Sequence, residues 1–112
     1  MATPLPGKRV RGSTSGRPIM ALLDLLGRRW TLRILWELRD GEPRNFRELA
    51  ERCDRMSPTV QNRRLAELRE AQIVAHEDGG GYRLTAEGGR LVSALMPMHH
   101  WAEAWAKRTA KR

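Results

Sequence analysis

Thr59, Asn62, Arg63 and Ala66 carry the sharpest chemistry that this sequence offers. At about 100° per residue the four share one side of a helix, while Leu65 and Leu68 take the other side with Gln61 and Arg64 at its margin. The outward side holds a hydroxyl, an amide and a guanidinium, and no bulky apolar group. Arginine grips guanine through two hydrogen bonds, asparagine pairs with adenine, and threonine or alanine meets a thymine methyl. Such a face suits the major groove of double-stranded DNA. An ordinary solvated helix face has a similar composition, so the assignment depends on the elements that position these residues.

Those elements have start signals of their own. Ser57 is an N-cap hydroxyl and Pro58 fits the first helical position, the strongest helix start in the chain. Both are grouped with Thr59, Asn62, Arg63 and Ala66 as the expected DNA-binding residues. Upstream, Asn45 and Glu48 have the spacing of a capping box, and Phe46, Leu49 and Ala50 recur as one buried face. The pattern breaks over Cys53-Asp54-Arg55-Met56, so residues 46–68 read as two short helices joined by a tight turn. A polar face on the second helix of such a pair is the arrangement that reads a major groove.

The segment IVAHEDGGGYRLTAEG that follows reads as a β-hairpin, with Gly79 to Gly81 at its turn. A hairpin directly after a recognition-type helix is the wing of a winged helix, and Arg83 is its candidate phosphate contact. The glycine run does not cradle a nucleotide phosphate, because no helix N-terminus and lysine follow in register.

Two further helices precede this unit and one follows it. Pro18 opens PIMALLDLLG, which is apolar nearly all round and stops at Gly27. The helix in WTLRILWELRDG places Ile34, Leu35 and Leu38 toward a core, and Leu32 with Trp36 in a second stripe that also needs cover. Thr85 caps the last helix, AEGGRLVSALMPMHHWAEAWAKR, in which Pro97 is expected to kink or divide the chain. A domain this small leaves these extra apolar faces to a partner, and a homodimer is the simplest cover.

The chain has 112 residues and a formal net charge of +8, enough for one core. Residues 1–17 and 107–112 contain no acid and supply the whole excess, so residues 18–106 are neutral. Basic tails on a neutral body attract phosphate, or simply aid solubility. Residues 1–17 are poor in large apolar groups and are expected to be disordered when free, either passive or reaching into a minor groove. One cysteine, Cys53, excludes an internal disulfide and fits a reducing compartment. With no apolar run of membrane-spanning length and no signal-peptide pattern, a cytoplasmic location without membrane association is expected.

Four tryptophans against one Phe and one Tyr is an unusual ratio. Trp36, Trp101 and Trp105 lie on helices expected at a dimer interface, where they either fill its core or line a pocket for a flat aromatic or cationic effector. His99 and His100 point about 100° apart on a helix and cannot chelate one ion together. No metal site, cofactor motif or nucleophile–base pair stands out, so an enzyme is not expected.

The segments ALLDLLGRRWTLRILWEL, NFRELAERCDRMSPTVQNRRLAEL and LTAEG together resemble the HxlR-type branch of the MarR-like winged helix-turn-helix transcriptional regulators. The most specific pieces are the LLG-x-x-W-T element from Leu25 to Thr31 and the Ser57-Pro58, Arg64-Leu65, Leu68 pattern, and the resemblance covers residues 18–106. It implies a mainly α fold with a small β-hairpin wing. It also implies a homodimer, held by its N- and C-terminal helices, that represses transcription from a pseudopalindromic operator. Many such regulators sense electrophiles through a Cys-Pro pair before the first helix. Arg17-Pro18 stands there instead, and Cys53 reads as either a structural thiol or a displaced sensor. Gln61 also departs from the apolar residue expected at its position, and either bonds to backbone or turns toward DNA. A winged helix serving only protein interaction is the competing reading, and an RNA-binding one a third.

Overall fold

The computed structural model describes residues 2–110. Five helices and one hairpin follow in the order α1 (Pro18–Leu26), α2 (Thr31–Glu37), α3 (Phe46–Arg52), α4 (Pro58–Glu70), β1 (Val74–His76), β2 (Tyr82–Leu84) and α5 (Ala86–Ala110). This is the winged helix-turn-helix architecture expected from the sequence.

The helix ends follow local chemistry. At α3 the Glu48 amide donates to Asn45 Oδ1 and the Asn45 amide donates to Glu48 Oε1, both at 2.8 Å, so the capping box closes in both directions. Thr85 Oγ1 accepts from the Gly88 amide at 3.0 Å while donating back to the Gln72 carbonyl at 2.7 Å, which ties the start of α5 to the end of α4. Between α3 and α4 the chain reverses through Asp54 and Arg55, both with φ in the left-handed region. Trp30, at the N-cap of α2, is left-handed as well.

One apolar core holds these elements together. Leu25 and Leu26 of α1, Ile34 and Leu35 of α2, Leu49 of α3, and Leu65 and Leu68 of α4 are buried with Ile73, Val74, Tyr82 and Val92. Burying each such side chain contributes roughly 1.5–3 kcal/mol before the cost of ordering the chain. The wing pairs Val74 with Leu84 and His76 with Tyr82, and Tyr82 also exchanges backbone hydrogen bonds with Arg44. Gly81 permits that third pairing, because a Cβ there would run into the Arg44 backbone.

Three features depart from the sequence expectations. Residues 2–17, expected to be disordered, fold back on the body, with Thr3, Pro4 and Gly16 buried. Specific backbone bonds close the segment, since the Gly7 amide donates to the Gly16 carbonyl at 2.9 Å and Val10 pairs with Ser13, and the burial of Pro4 adds to them. Secondly, α5 runs unbroken through Pro97. Pro97 and Ser93 are both exposed, so water can take the Ser93 carbonyl that a proline leaves without a donor. Thirdly, the helix continues into the expected basic tail as far as Ala110, while Lys111 and Arg112 lie outside the described residues.

Candidate nucleic-acid interface

The second helix of the helix-turn-helix divides its residues cleanly between two environments. Leu65 and Leu68 face the core, and Ser57, Pro58, Thr59, Asn62, Arg63 and Ala66 are all exposed. Among the described residues, Arg63 takes part in no ion pair. Its guanidinium donates to no group among the described residues, where most arginines of the body are engaged. Ser57 Oγ accepts from the Val60 amide at a long 3.5 Å, so proline at the first position does as much as the hydroxyl to start the helix.

The inward side of α4 is held by polar groups that a pattern of apolar residues does not show. Glu67 is buried and accepts from Arg28 Nη1 at 2.6 Å and from Arg64 Nη1 at 3.0 Å. Arg64 Nε also donates to the Arg29 carbonyl at 2.8 Å, which fastens α4 to the α1–α2 connection. Gln61 is fully buried and resolves the two alternatives left open by the sequence: its Nε2 donates to the Phe46 carbonyl at 2.8 Å, binding α4 to the first turn of α3. Its Oε1 has no partner, an electrostatic cost accepted at the junction that fixes the angle between the two helices. The missed residue is Glu67. A carboxylate three positions after Arg64 looks like a solvated pair, and only its burial marks it as structural.

Arg83 lies on the wing and is half-exposed, with Nε on Glu77 Oε1 at 2.6 Å across the hairpin. The candidate phosphate contact is thus partly neutralised. Cys53 closes α3 and is completely buried, and that burial pushes its thiol up to about 11. A buried, protonated sulfur is a poor nucleophile, which favours the structural reading of Cys53 over the sensor one.

The three tryptophans expected to share a pocket are not brought together within one chain. Trp36 is half-buried, lies 4.9 Å from the His99 ring and carries the Arg39 guanidinium 3.9 Å above its own ring centre. Trp36 and His99 line a groove of about 390 Å³ with Leu32, Leu35, Leu95 and Met98. Trp101 and Trp105 stack on each other at 5.5 Å and are both more than half exposed. Two and six positions beyond His99, they project from the opposite side of α5. With Met98 they form an apolar stripe along a segment that has left the body, since residues 101–110 are all exposed. Ile19 and Leu23 form a similar uncovered pair on α1. Among the described residues, no helix is long and apolar enough to cross a membrane.

Comparison with known proteins agrees with this geometry. A family described as HxlR-like helix-turn-helix matches residues 25–110. The chain is 29% identical over 102 residues to the HTH-type transcriptional regulator YodB of Bacillus subtilis (strain 168), covering 86% of this chain and 90% of that protein. The crystal structure of quinone-bound YodB superposes with a TM-score of 0.70 at 33% identity, over 78% of this chain and 97% of that one. A transcriptional regulator of the MarR family from Enterococcus faecalis V583 gives a TM-score of 0.74 at 26% identity, over 94% of this chain and all of that one.

Proposed function

Because this chain belongs to the HxlR-like helix-turn-helix family, we propose that it represses transcription as a homodimer bound to a two-fold symmetric DNA operator. The outward face of α4 carries this reading: Thr59, Asn62, Arg63 and Ala66 are exposed together on a helix whose other side is locked to the body. Arg63, free of carboxylates among the described residues, reads a guanine, Asn62 pairs with an adjacent base, and Thr59 and Ala66 sense thymine methyls. Ser57 and Pro58 set the depth at which the helix enters the groove. Arg83 exchanges Glu77 for a phosphate when the wing meets the duplex, so its net contribution is small.

The uncovered stripe of Met98, Trp101 and Trp105, with Ile19 and Leu23, is the surface through which two copies associate. Dimerisation places two α4 helices in successive major grooves, and the operator symmetry follows from that of the protein. The groove at Trp36 and His99 suits a flat aromatic effector, and the likeness to a quinone-bound regulator favours that chemistry. Trp101 and Trp105 can border this effector only from a second subunit. With Arg17 before Pro18 and Cys53 sealed in the core, the effector binds without covalent capture.

Selection of bound fragments from random DNA at near-physiological salt tests this function. A two-fold symmetric motif, relaxed at one base position in each half by Arg63→Ala, is the expected result. Enrichment without symmetry, indifferent to that substitution, would make the helix-turn-helix a protein-interaction module instead.

A further inference from the structure

The proposed operator contact leaves unexplained why residues 2–17, which lie before the family-matched segment, are folded. The region is closed by a set of specific bonds. Gly7 and Gly16 are joined through their backbones, Val10 and Ser13 exchange two hydrogen bonds at 3.0 and 3.1 Å, and the Arg17 amide donates to Ser13 Oγ at 2.9 Å. Gly16 is buried with φ at +74°, and a Cβ there would strike the backbone of Lys8. Only glycine allows this closure. The segment is fastened at Ala2 and at Arg11 to the elements around the recognition helix. The Arg11 amide donates to Asp24 Oδ2 at 3.2 Å, and Arg28 Nη2 donates to the Ala2 carbonyl at 3.0 Å while its Nη1 holds Glu67 of α4.

The closed loop presents Lys8, Arg9, Arg11 and Arg17, all exposed and none in an ion pair among the described residues. Arg11 lines the same concavity, of about 560 Å³, as Arg63 and Ala66 of the outward α4 face. Of the acids of that concavity Glu67 is neutralised by two arginines, whereas Asp24, bonded to the Arg11 amide, and Glu70 keep their charge against Arg11, Arg28, Arg63 and Arg64.

We propose that residues 7–17 form a preformed phosphate-gripping loop that extends the DNA interface beside the recognition helix, with Arg11 as its central contact. The proposal rests on the DNA-binding reading above and adds a second contact element to it. A flexible basic arm loses conformational freedom on binding, whereas this loop is ordered in advance and keeps more of its electrostatic gain. Its contacts are to the backbone, so they strengthen binding without choosing a sequence.

The test uses the full-length protein on its selected operator and on unrelated duplex, titrated across salt concentrations. Three proteins are compared with the parent: Lys8→Gln/Arg9→Gln/Arg11→Gln together, Gly16→Val, and Arg63→Ala. The charge variant is expected to weaken binding to both duplexes by the same factor. It should also flatten the salt dependence by about 0.9 in slope for each phosphate that is no longer neutralised. Gly16→Val keeps every charge but opens the loop, and is expected to weaken binding to both duplexes by about fivefold or more. An unchanged salt slope in the charge variant, with Arg63→Ala still relaxing selectivity, overturns the loop and leaves the DNA-binding reading intact. Parental binding by Gly16→Val beside a weakened charge variant overturns the preformed geometry. Indifference of both duplexes to all three changes overturns the DNA-binding reading itself.

Discussion

Helix α4 and the distal half of α5 both turn a row of side chains to solvent, and the two rows are chemical opposites. The α4 row is Thr59, Asn62, Arg63 and Ala66, small and polar, with one cation free of ion pairs among the described residues. The α5 row is Met98, Trp101 and Trp105, large and apolar, with two rings already stacked. Water solvates the first row at no cost, so its exposure alone says little. The second row leaves large apolar surface wet, and covering it is favourable by roughly 25 cal/mol per Å² removed from water. What sets α4 apart is its inner side. Gln61, Arg64 and Glu67 fix the helix to three other parts of the chain, so the outward row is held at a defined angle. Beyond His99, residues 101–110 of α5 are all exposed and bond to no other element among the described residues.

That contrast gives four substitutions or treatments with graded outcomes. Replacing Trp101 and Trp105 together by Glu is expected to have the largest effect. In the proposed dimer these two rings are the anchors, so removing both is expected to cost about 4 kcal/mol or more of association, read by sedimentation as a shift from dimer to monomer. An unchanged sedimentation profile would place the subunit contact elsewhere. Glu67→Ala strips the shared partner from Arg28 and Arg64 and is expected to cost about 3 kcal/mol in urea denaturation, through the inner side of α4 alone. Arg63→Ala is expected to leave that denaturation curve in place while costing about 1–3 kcal/mol of DNA binding at one base position. A variant that shifted both curves would mean that the two sides of α4 are not independent.

Cys53 should respond least. Its folded thiol ionises near pH 11, against 9.0 for the unperturbed group, with burial as the main cause. The raised value means that burial favours the protonated form. The associated stability is complete below pH 9, and is lost as pH rises through about 11 because the unfolded chain ionises first. Native protein is therefore expected to resist iodoacetamide at about pH 8 and to react quickly once unfolded in urea. Rapid labelling of the native form would contradict a structural thiol.

The sequence alone determined the helix starts, the hairpin and the outward face of α4. The capping box at Asn45 and Glu48, the proline after Ser57 and the hydroxyl of Thr85 each act within one helical turn, so their partners are near in sequence and can be read by spacing. The apolar stripes were legible for the same reason, including those of Leu32 with Trp36 and of Trp101 with Trp105 that the single chain leaves partly uncovered. Only the tertiary structure decided the fates of the polar residues. Gln61 finds its acceptor 15 positions away and Glu67 a guanidinium 39 positions away, distances at which residue type carries no information about contact. The folded N-terminal segment was hidden by the same limit. Its composition predicts disorder, and its order comes from backbone bonds and one glycine that fits where no side chain can. The tryptophans were separated on the same principle. A count of aromatic residues cannot show which side each ring takes, whereas α5 sets His99 beside Trp36 of α2 and turns Trp101 and Trp105 together to the other side. Local chemistry writes the elements, and long-range packing chooses which of their side chains are structural and which remain free to act.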